Sequence, residues 1–448
     1  MIVQTEEGAS AARLYLEMAK VAALRSWPMA GGPLVATAAV IGGGTMGTGI
    51  ALALSRNGIE TWVVDPSPEA LARARVAVDV DTARAVAKGR ISEESAKAAL
   101  ERLIYCGSIA ELPNVDLAIE AAFERMRVKQ DIMAALDRHC PRSTILATNT
   151  STLDIDLIAA STSRPQDVVG LHFFSPAQIM PLIEIVRGLE TRTSVVALAV
   201  DLARRLGKIG IVVGNCYGFA GNRMVEGMGR EANRLLLEGN SPLAIDAAIR
   251  DFGMAMGPLE VADLVGIDVP HQARQEKSQA IPGDQTYFYM ADLLVERGRL
   301  GRKTGRGFYR YGPGARAPEY DPAVEEIAAA AAVRLGVARK VSSAAEIVER
   351  CILPLINEGA LILEEGIASR ASDLDLIYTL GYGFPTVLGG PMHYADKVGL
   401  AFVLSRLEAL QAEFGDYWRP APSIRKLAAA GATITESYGA NRADPVNG

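Results

Sequence analysis

The sequence predicts an α/β protein in which a doubly wound, mainly parallel sheet is followed by two repeated all-helical domains. Three observations predict it. Short apolar runs alternate with amphipathic stretches from residue 37 to about 214. Helical periodicity replaces strands after Tyr217, and two blocks of that helical region recur later in the chain.

In chain order, residues 9–25 carry Leu14, Met18, Val21 and Ala22 at helical spacing. The pattern breaks at Pro28, Gly31, Gly32 and Pro33, which reads as a free-standing linker helix within residues 1–36. Strands are expected at 38–41, 61–64, 117–121, 144–148, 168–174, 183–186 and 209–213. Helices such as 45–57, 125–138 and 194–206 lie between them, making 37–216 one domain. A helical domain at 217–314, a linker at 315–344 and a second helical copy at 345–440 complete the chain. The duplication rests on two matched blocks. Glu231, Glu238 and Gly239 match Glu358, Glu365 and Gly366, while Gly257-Pro258 with Ala262-Asp263 and Gly266 match Gly390-Pro391 with Ala395-Asp396 and Gly399. The offset moves from 127 to 133, a six-residue insertion in one copy.

The 448 residues are 49% hydrophobic and 22% charged, enough for a soluble globular protein of two to four domains. A net charge of −6 argues against a nucleic-acid partner. Cys106, Cys140, Cys216 and Cys351 lie far apart without ligand-like spacing, so no metal site and a reducing, cytoplasmic compartment are expected. Residues 33–55 hold no charge, but Gly42, Gly43, Gly44, Gly47 and Gly49 argue against a membrane span. Arg13, Glu17 and Lys20 break any secretory signal, and the C-terminus carries no peroxisomal Ser-Lys-Leu.

Gly42-Gly43-Gly44-Thr45-Met46-Gly47 follows a strand and opens a helix, the context of a dinucleotide fingerprint on a Rossmann-type sheet. Gly42 permits the turn, Gly44 admits a pyrophosphate to the backbone, and Gly47 packs helix on strand. Asp65 ends the next strand, 21 residues after Gly44, where a carboxylate accepts from ribose hydroxyls and repels a 2′-phosphate. NAD is therefore expected over NADP; FAD stays open on the fingerprint alone.

Oxidising a hydroxyl needs a base, and histidine suits it. Of four histidines, His139 reads as a helix-end surface residue, His271 as part of a polar segment and His393 as a residue of the second copy. His172 lies near the end of a sheet strand, where it is either a catalytic base or a satisfied core histidine. Glu184 follows twelve residues on, inside the apolar run Leu182–Val186. It either pairs with His172 across a return loop marked by Pro176 and Pro181, or faces solvent on an edge strand. Ser151 and Asn222 are candidate donors to a substrate oxygen, with helix-start roles as the alternative.

Gly42–Gly47, Asn149-Thr150-Ser151, His172-Phe173-Phe174-Ser175-Pro176, Glu184, Gly218–Arg223 and Lys303–Tyr309, in this order and spacing over residues 37–310, resemble the L-3-hydroxyacyl-CoA dehydrogenase family. The resemblance implies His172 as base, Glu184 as its partner, and Ser151 and Asn222 as substrate-positioning residues. It places Glu124, Lys129, Ser151, Ser175 and Lys303 by the NAD cofactor, beside Gly42, Gly44, Thr45, Met46, Gly47 and Asp65. Lys88 aligns loosely with a residue meeting coenzyme A phosphates, and a solvated lysine is the alternative. Serine at 175, where single-domain members commonly have asparagine, resembles the dehydrogenase part of fatty-acid β-oxidation multifunctional enzymes. The helix at 9–25 resembles the linker that follows their hydratase/isomerase domain. That domain is absent here, so the expectation is a truncated chain or a separate enoyl-CoA hydratase or thiolase as partner. The second copy would supply the family's dimer interface internally, implying a monomer or loose dimer, and Glu349 in place of Asn222 implies that this copy lacks catalytic function.

The expected reaction is NAD-dependent oxidation of (S)-3-hydroxyacyl-CoA to 3-oxoacyl-CoA. Alternatives are a 3-hydroxybutyryl-CoA dehydrogenase of butanoate metabolism, a 3-hydroxy-acid dehydrogenase of the 6-phosphogluconate type acting on a free acid, and a non-enzymatic acyl-CoA- or NAD-binding protein.

Overall fold

The computed structural model describes residues 5–27, 35–276, 284–312, 314–315 and 317–439. Pro28, Gly31, Gly32 and Pro33, expected to end the first helix, lie outside the described residues. The chain divides into two compact units. One holds residues 17–220 with 366–369; the other holds the residues through Leu16, 221–365 and 370–439.

Eight strands form one sheet in the first unit: β1 (Thr37–Ile41), β2 (Glu60–Val64), β3 (Leu103–Cys106), β4 (Leu117–Glu120), β5 (Ile145–Thr148), β6 (Val168–Phe173), β7 (Leu182–Arg187) and β8 (Ile209–Gly214). Their order is β3-β2-β1-β4-β5-β6-β7-β8. All neighbours are parallel except β6 and β7. The central strands are apolar on both faces because each face carries its own buried cluster, one around Val40, Ile50 and Val200, the other around Ala39, Met133 and Ile158. Helices α1 (Glu6–Arg25), α2 (Thr45–Arg56), α3 (Pro68–Ala87), α4 (Glu93–Glu101), α5 (Met126–His139), α6 (Ile155–Ala159) and α7 (Thr193–Arg205) precede or connect the strands. Each strand expected from the sequence is present within about two residues. β3 was not expected: its four residues directly follow a charged helix, and only pairing with β2 makes them a strand.

Among the described residues the second unit is built of helices: α8 (Gly221–Leu237), α9 (Pro242–Phe252), α10 (Pro258–Val265), α11 (Asp268–Glu276), α12 (Tyr289–Glu296) and α13 (Pro322–Leu335), then α14 (Ala344–Glu364), α15 (Ala371–Gly381), α16 (Pro391–Val398), α17 (Leu400–Phe414), α18 (Pro422–Ala430) and α19 (Ile434–Ser437), with isolated β-bridges between 301 and 319. The segment 315–344, read from sequence as a linker, thus contains a helix, capped by Asp321 and ended by Gly336 at φ +65°.

The repeated glutamates form reciprocal ion pairs. Arg223 on α8 binds Glu358 (2.6 Å) and Glu365 (2.8 Å) on and just past α14, while Arg350 on α14 binds Glu231 (2.9 Å) and Glu238 around the end of α8. Arg223 and Arg350 are 127 residues apart, as are the glutamates they exchange. The copies therefore meet as the halves of an isologous interface.

The same symmetry corrects the reading of α1. In the first copy, Asp246 accepts from Leu259 N and Glu260 N at the start of α10 and from the Tyr309 phenol (2.7 Å). In the second, Asp375 accepts from Met392 N and His393 N at the start of α16, but its phenol comes from Tyr15 on α1 (2.7 Å). Asp263 accepts from Phe308 N and Tyr309 N, and Asp396 from Ile434 N and Thr435 N. Thr435 thus occupies the place of Tyr309, and Tyr15 supplies the missing ring. α1 is not free-standing; Ala12, Leu16, Ala19 and Ala23 are buried.

Candidate functional site

The glycine-rich turn connects β1 to α2. Gly42 has φ +123°, and a Cβ there would lie 2.6 Å from Ala121 O, so only glycine fits both the dihedral and the neighbour. A Cβ at Gly47 would strike Gly42 O, which is why the helix can start so close to the strand. Gly44 is the N-cap, forms no side-chain cap bond, and has nothing within 4 Å of where a Cβ would be. An open approach to a helix N-terminus is what a pyrophosphate needs, so these residues fit a dinucleotide. Thr45 is exposed and Met46 half-buried in the first turn. Asp65, at the end of β2, accepts from Gly43 N (2.8 Å) and Ser67 N (2.9 Å), which fixes its carboxylate beside the turn.

The antiparallel β6–β7 pair places His172 directly opposite Glu184. His172 Nδ1 lies 2.9 Å from Glu184 Oε2, and Glu184, fully buried, also accepts from Ala220 N at Oε1 (3.1 Å). This excludes the solvent-facing alternative for Glu184. With Nδ1 committed to the carboxylate, Nε2 is the ring nitrogen available for proton transfer, and an imidazolium formed there is stabilised by Glu184. The ring packs on Phe174 (4.7 Å) and Phe219 (5.9 Å). Phe219 holds φ +51°, a conformation aromatic residues seldom adopt, and the residue after it delivers the Ala220 N–H to Glu184. Asn149 Oδ1 accepts from Phe173 N (2.8 Å), tying the end of β5 to the strand that carries His172.

Glu124 gathers the loop after β5. Its Oε1 accepts from Thr150 Oγ1 (2.6 Å), Ser151 N (2.7 Å) and Ser151 Oγ (3.0 Å). Burial pushes the Glu124 carboxyl up, but the Lys129 ammonium and the donors of Thr150 and Ser151 outweigh it and hold it below the usual glutamate value. Lys129 itself is enclosed, 2.9 Å from Glu120 Oε2 and 3.1 Å from Glu124 Oε2, so its ammonium is committed to these carboxylates. Glu120 was missed from the sequence. The signal was available: an acid ending the apolar strand Leu117-Ala118-Ile119 obeys the same logic as Glu184.

Ser175 is exposed just past β6. Lys88 caps α3 and, with Arg56, Arg84 and Arg90, lines a cavity of about 460 Å³ that also holds Asp81 and Gln178. Asn222 and Lys303 belong to the helical unit: Asn222 Oδ1 accepts from the Tyr382 phenol (2.7 Å), and Lys303 pairs with Asp268 (2.6 Å). The other histidines are engaged elsewhere: His139 with Leu112 O, His271 with Asp292, and His393 with Leu388 O while stacked on Tyr15. Among the described residues no group of His, Cys, Asp and Glu is arranged to hold a metal, and no helix is long and apolar enough to cross a membrane.

The NAD binding domain model of 3-hydroxyacyl-CoA dehydrogenase matches residues 37–216, and the C-terminal domain model of the same enzyme matches twice, at 218–311 and 347–438. The chain is 40% identical over 422 residues to the peroxisomal bifunctional enzyme of Danio rerio and 38% identical over 420 residues to that of Homo sapiens. These alignments cover 90% and 91% of the chain but 58% of each relative. Among solved structures, 3-hydroxybutyryl-CoA dehydrogenase from Escherichia coli is similar with TM-score 0.77 and 30% identity, covering 91% of this chain and 100% of that one. The dehydrogenase part of multifunctional enzyme 1 from C. elegans gives 0.64 and 28%, covering 92% and 96%. The chain belongs to the 3-hydroxyacyl-CoA dehydrogenase family, with an NAD-binding domain followed by two copies of the family's C-terminal domain.

Proposed function

We propose that this chain oxidises the 3-hydroxyl of an (S)-3-hydroxyacyl-CoA to the 3-oxo thioester in fatty-acid β-oxidation. The observation that carries the reading is the His172–Glu184 pair, in the same unit as the Gly42–Gly47 turn and Asp65. NAD, when bound, supplies the hydride acceptor. His172 takes the hydroxyl proton at Nε2, Glu184 holds the tautomer and stabilises the imidazolium, Asn222 donates to the substrate oxygen, and Ser151 positions the substrate beside it. Glu124 and Ser175 serve the cofactor side, with Lys129 acting through Glu124, and Lys303 is assigned there on the family resemblance. The basic cavity at Lys88 suits coenzyme A phosphates.

The relatives are named as bifunctional or multifunctional proteins, which supports a further activity accompanying this one; a separate enoyl-CoA hydratase or thiolase is the partner proposed for it. Their peroxisomal and glyoxysomal names do not support the cytoplasmic expectation. The E. coli neighbour favours a second, short-chain reading, 3-hydroxybutyryl-CoA oxidation.

An assay of NADH formation across C4 to C16 3-hydroxyacyl-CoAs and the matching free acids tests both. Turnover on the thioesters and not on the acids is expected; a preference for the free acids sinks the reading, and activity confined to C4 selects the short-chain one.

A further inference from the structure

We propose that Tyr382, in the second helical copy, is a positioning residue for Asn222 of the first. The inference rests on reading Asn222 as a donor to substrate oxygen, and it gives the copy without its own site a part in the chemistry.

Asn222 sits in the first turn of α8, and α15 grips that turn with two phenols one helical turn apart. Tyr378, fully buried, donates to Gly221 O (3.1 Å), and Tyr382 donates to Asn222 Oδ1 (2.7 Å). The two rings stack at 4.9 Å with 17° between their planes, so each fixes the other. A Cβ on Gly221 would lie 2.5 Å from the Tyr382 ring; glycine is what lets the ring lie against the turn. The Gly221-Asn222 dipeptide is thus explained by a residue 160 positions away.

The chemistry follows from the amide. An asparagine offers a carbonyl on one side and N–H donors on the other, and a half-turn about χ2 exchanges them. A phenol donating to Oδ1 selects one of the two, the one that presents Nδ2–H as donor. Without it the amide can present its carbonyl, which repels the oxygen on which negative charge develops. The second copy does not keep this arrangement for itself: Glu349 stands where repeat alignment places Asn222, and it pairs with Arg406 (2.7 Å). A carboxylate there cannot donate, so the tyrosine of this copy acts on the first copy's amide.

The test is steady-state kinetics of Tyr382→Phe, Asn222→Ala and the double variant, with NADH affinity by fluorescence titration and Tm alongside. Phenylalanine keeps the ring stack and removes only the hydroxyl. Asn222→Ala is expected to lose about 100-fold or more in kcat, the usual cost of a lost oxyanion donor. Tyr382→Phe is expected to lose about tenfold, mostly in kcat, with KM and NADH affinity within about twofold. The double variant should be no slower than Asn222→Ala, because the phenol acts through the amide. Multiplied losses in the double variant, or wild-type kcat for Tyr382→Phe beside a slow Asn222→Ala, overturn the proposal. Wild-type kcat for Asn222→Ala overturns the reading of Asn222 itself, and this inference with it.

Discussion

At the scale of single residues the proposed chemistry turns on one imidazole and the acid behind it. His172→Ala should lower kcat by about 10²- to 10⁴-fold, the general-base contribution, while NAD affinity stays within about twofold because the phosphate turn is untouched; a loss under tenfold would remove His172 from the mechanism. Glu184→Gln keeps the shape and reverses the hydrogen-bond logic at Nδ1, so a loss of up to about 10⁴-fold in kcat is expected with an unchanged fold by circular dichroism. Asp65→Asn should reduce the preference for NAD over NADP by about tenfold or more, one charge-assisted hydrogen bond, read as the ratio of kcat/KM with the two cofactors. The residue-level reading was legible where chemistry forces an unusual residue into an ordinary pattern: Glu184 in an apolar strand, Asp65 at a strand end. It was less legible at Lys129, a surface-type residue by sequence that is enclosed between Glu120 and Glu124.

Elements were legible by periodicity, and the exceptions have causes. β3 is too short to show a period, and α13 is an alanine-rich helix between segments that carry glycine and proline. α1 was found as a helix but its attachment was not, since its polar tie joins the Tyr15 phenol to a buried carboxylate 360 positions away. Burial pushes the Asp375 carboxyl up to about 8 from an ordinary 3.8, against the pull of the Tyr15, Met392 and His393 donors. The folded state then keeps a proton that the unfolded chain gives up, so this group favours folding most below about pH 4 and the contribution is gone above about pH 8. Asp375→Asn should therefore flatten the decline of Tm between pH 5 and pH 8.5, as read by differential scanning calorimetry at several pH values. Tyr15→Phe should speed hydrogen exchange of residues 6–25 by about tenfold, the value of one buried hydrogen bond; exchange unchanged in α1 would mean that the phenol does not hold it.

For the whole molecule, the reciprocal pairs of Arg223 and Arg350 make the duplicated copies an interface folded into one chain. Arg350 is the more enclosed of the two, its side chain 7% exposed against 20% for Arg223. Arg350→Met should therefore lower Tm more than Arg223→Met, since it strands two buried glutamates. With that surface occupied internally, sedimentation at micromolar concentration should give the mass of a single chain; a stable dimer would show that another surface pairs. What the sequence determined by itself was whatever local pattern encodes: the strand–helix alternation, the glycine-rich turn, the duplication and the candidates for the reactive groups. The tertiary structure alone decided who partners whom. The pairing of Glu184 with His172 follows from an antiparallel register, and the grip of Tyr382 on Asn222 and of Tyr15 on Asp375 joins residues 160 and 360 positions apart. Periodicity carries no information over such separations; only the packed fold brings those donors and acceptors within hydrogen-bond reach.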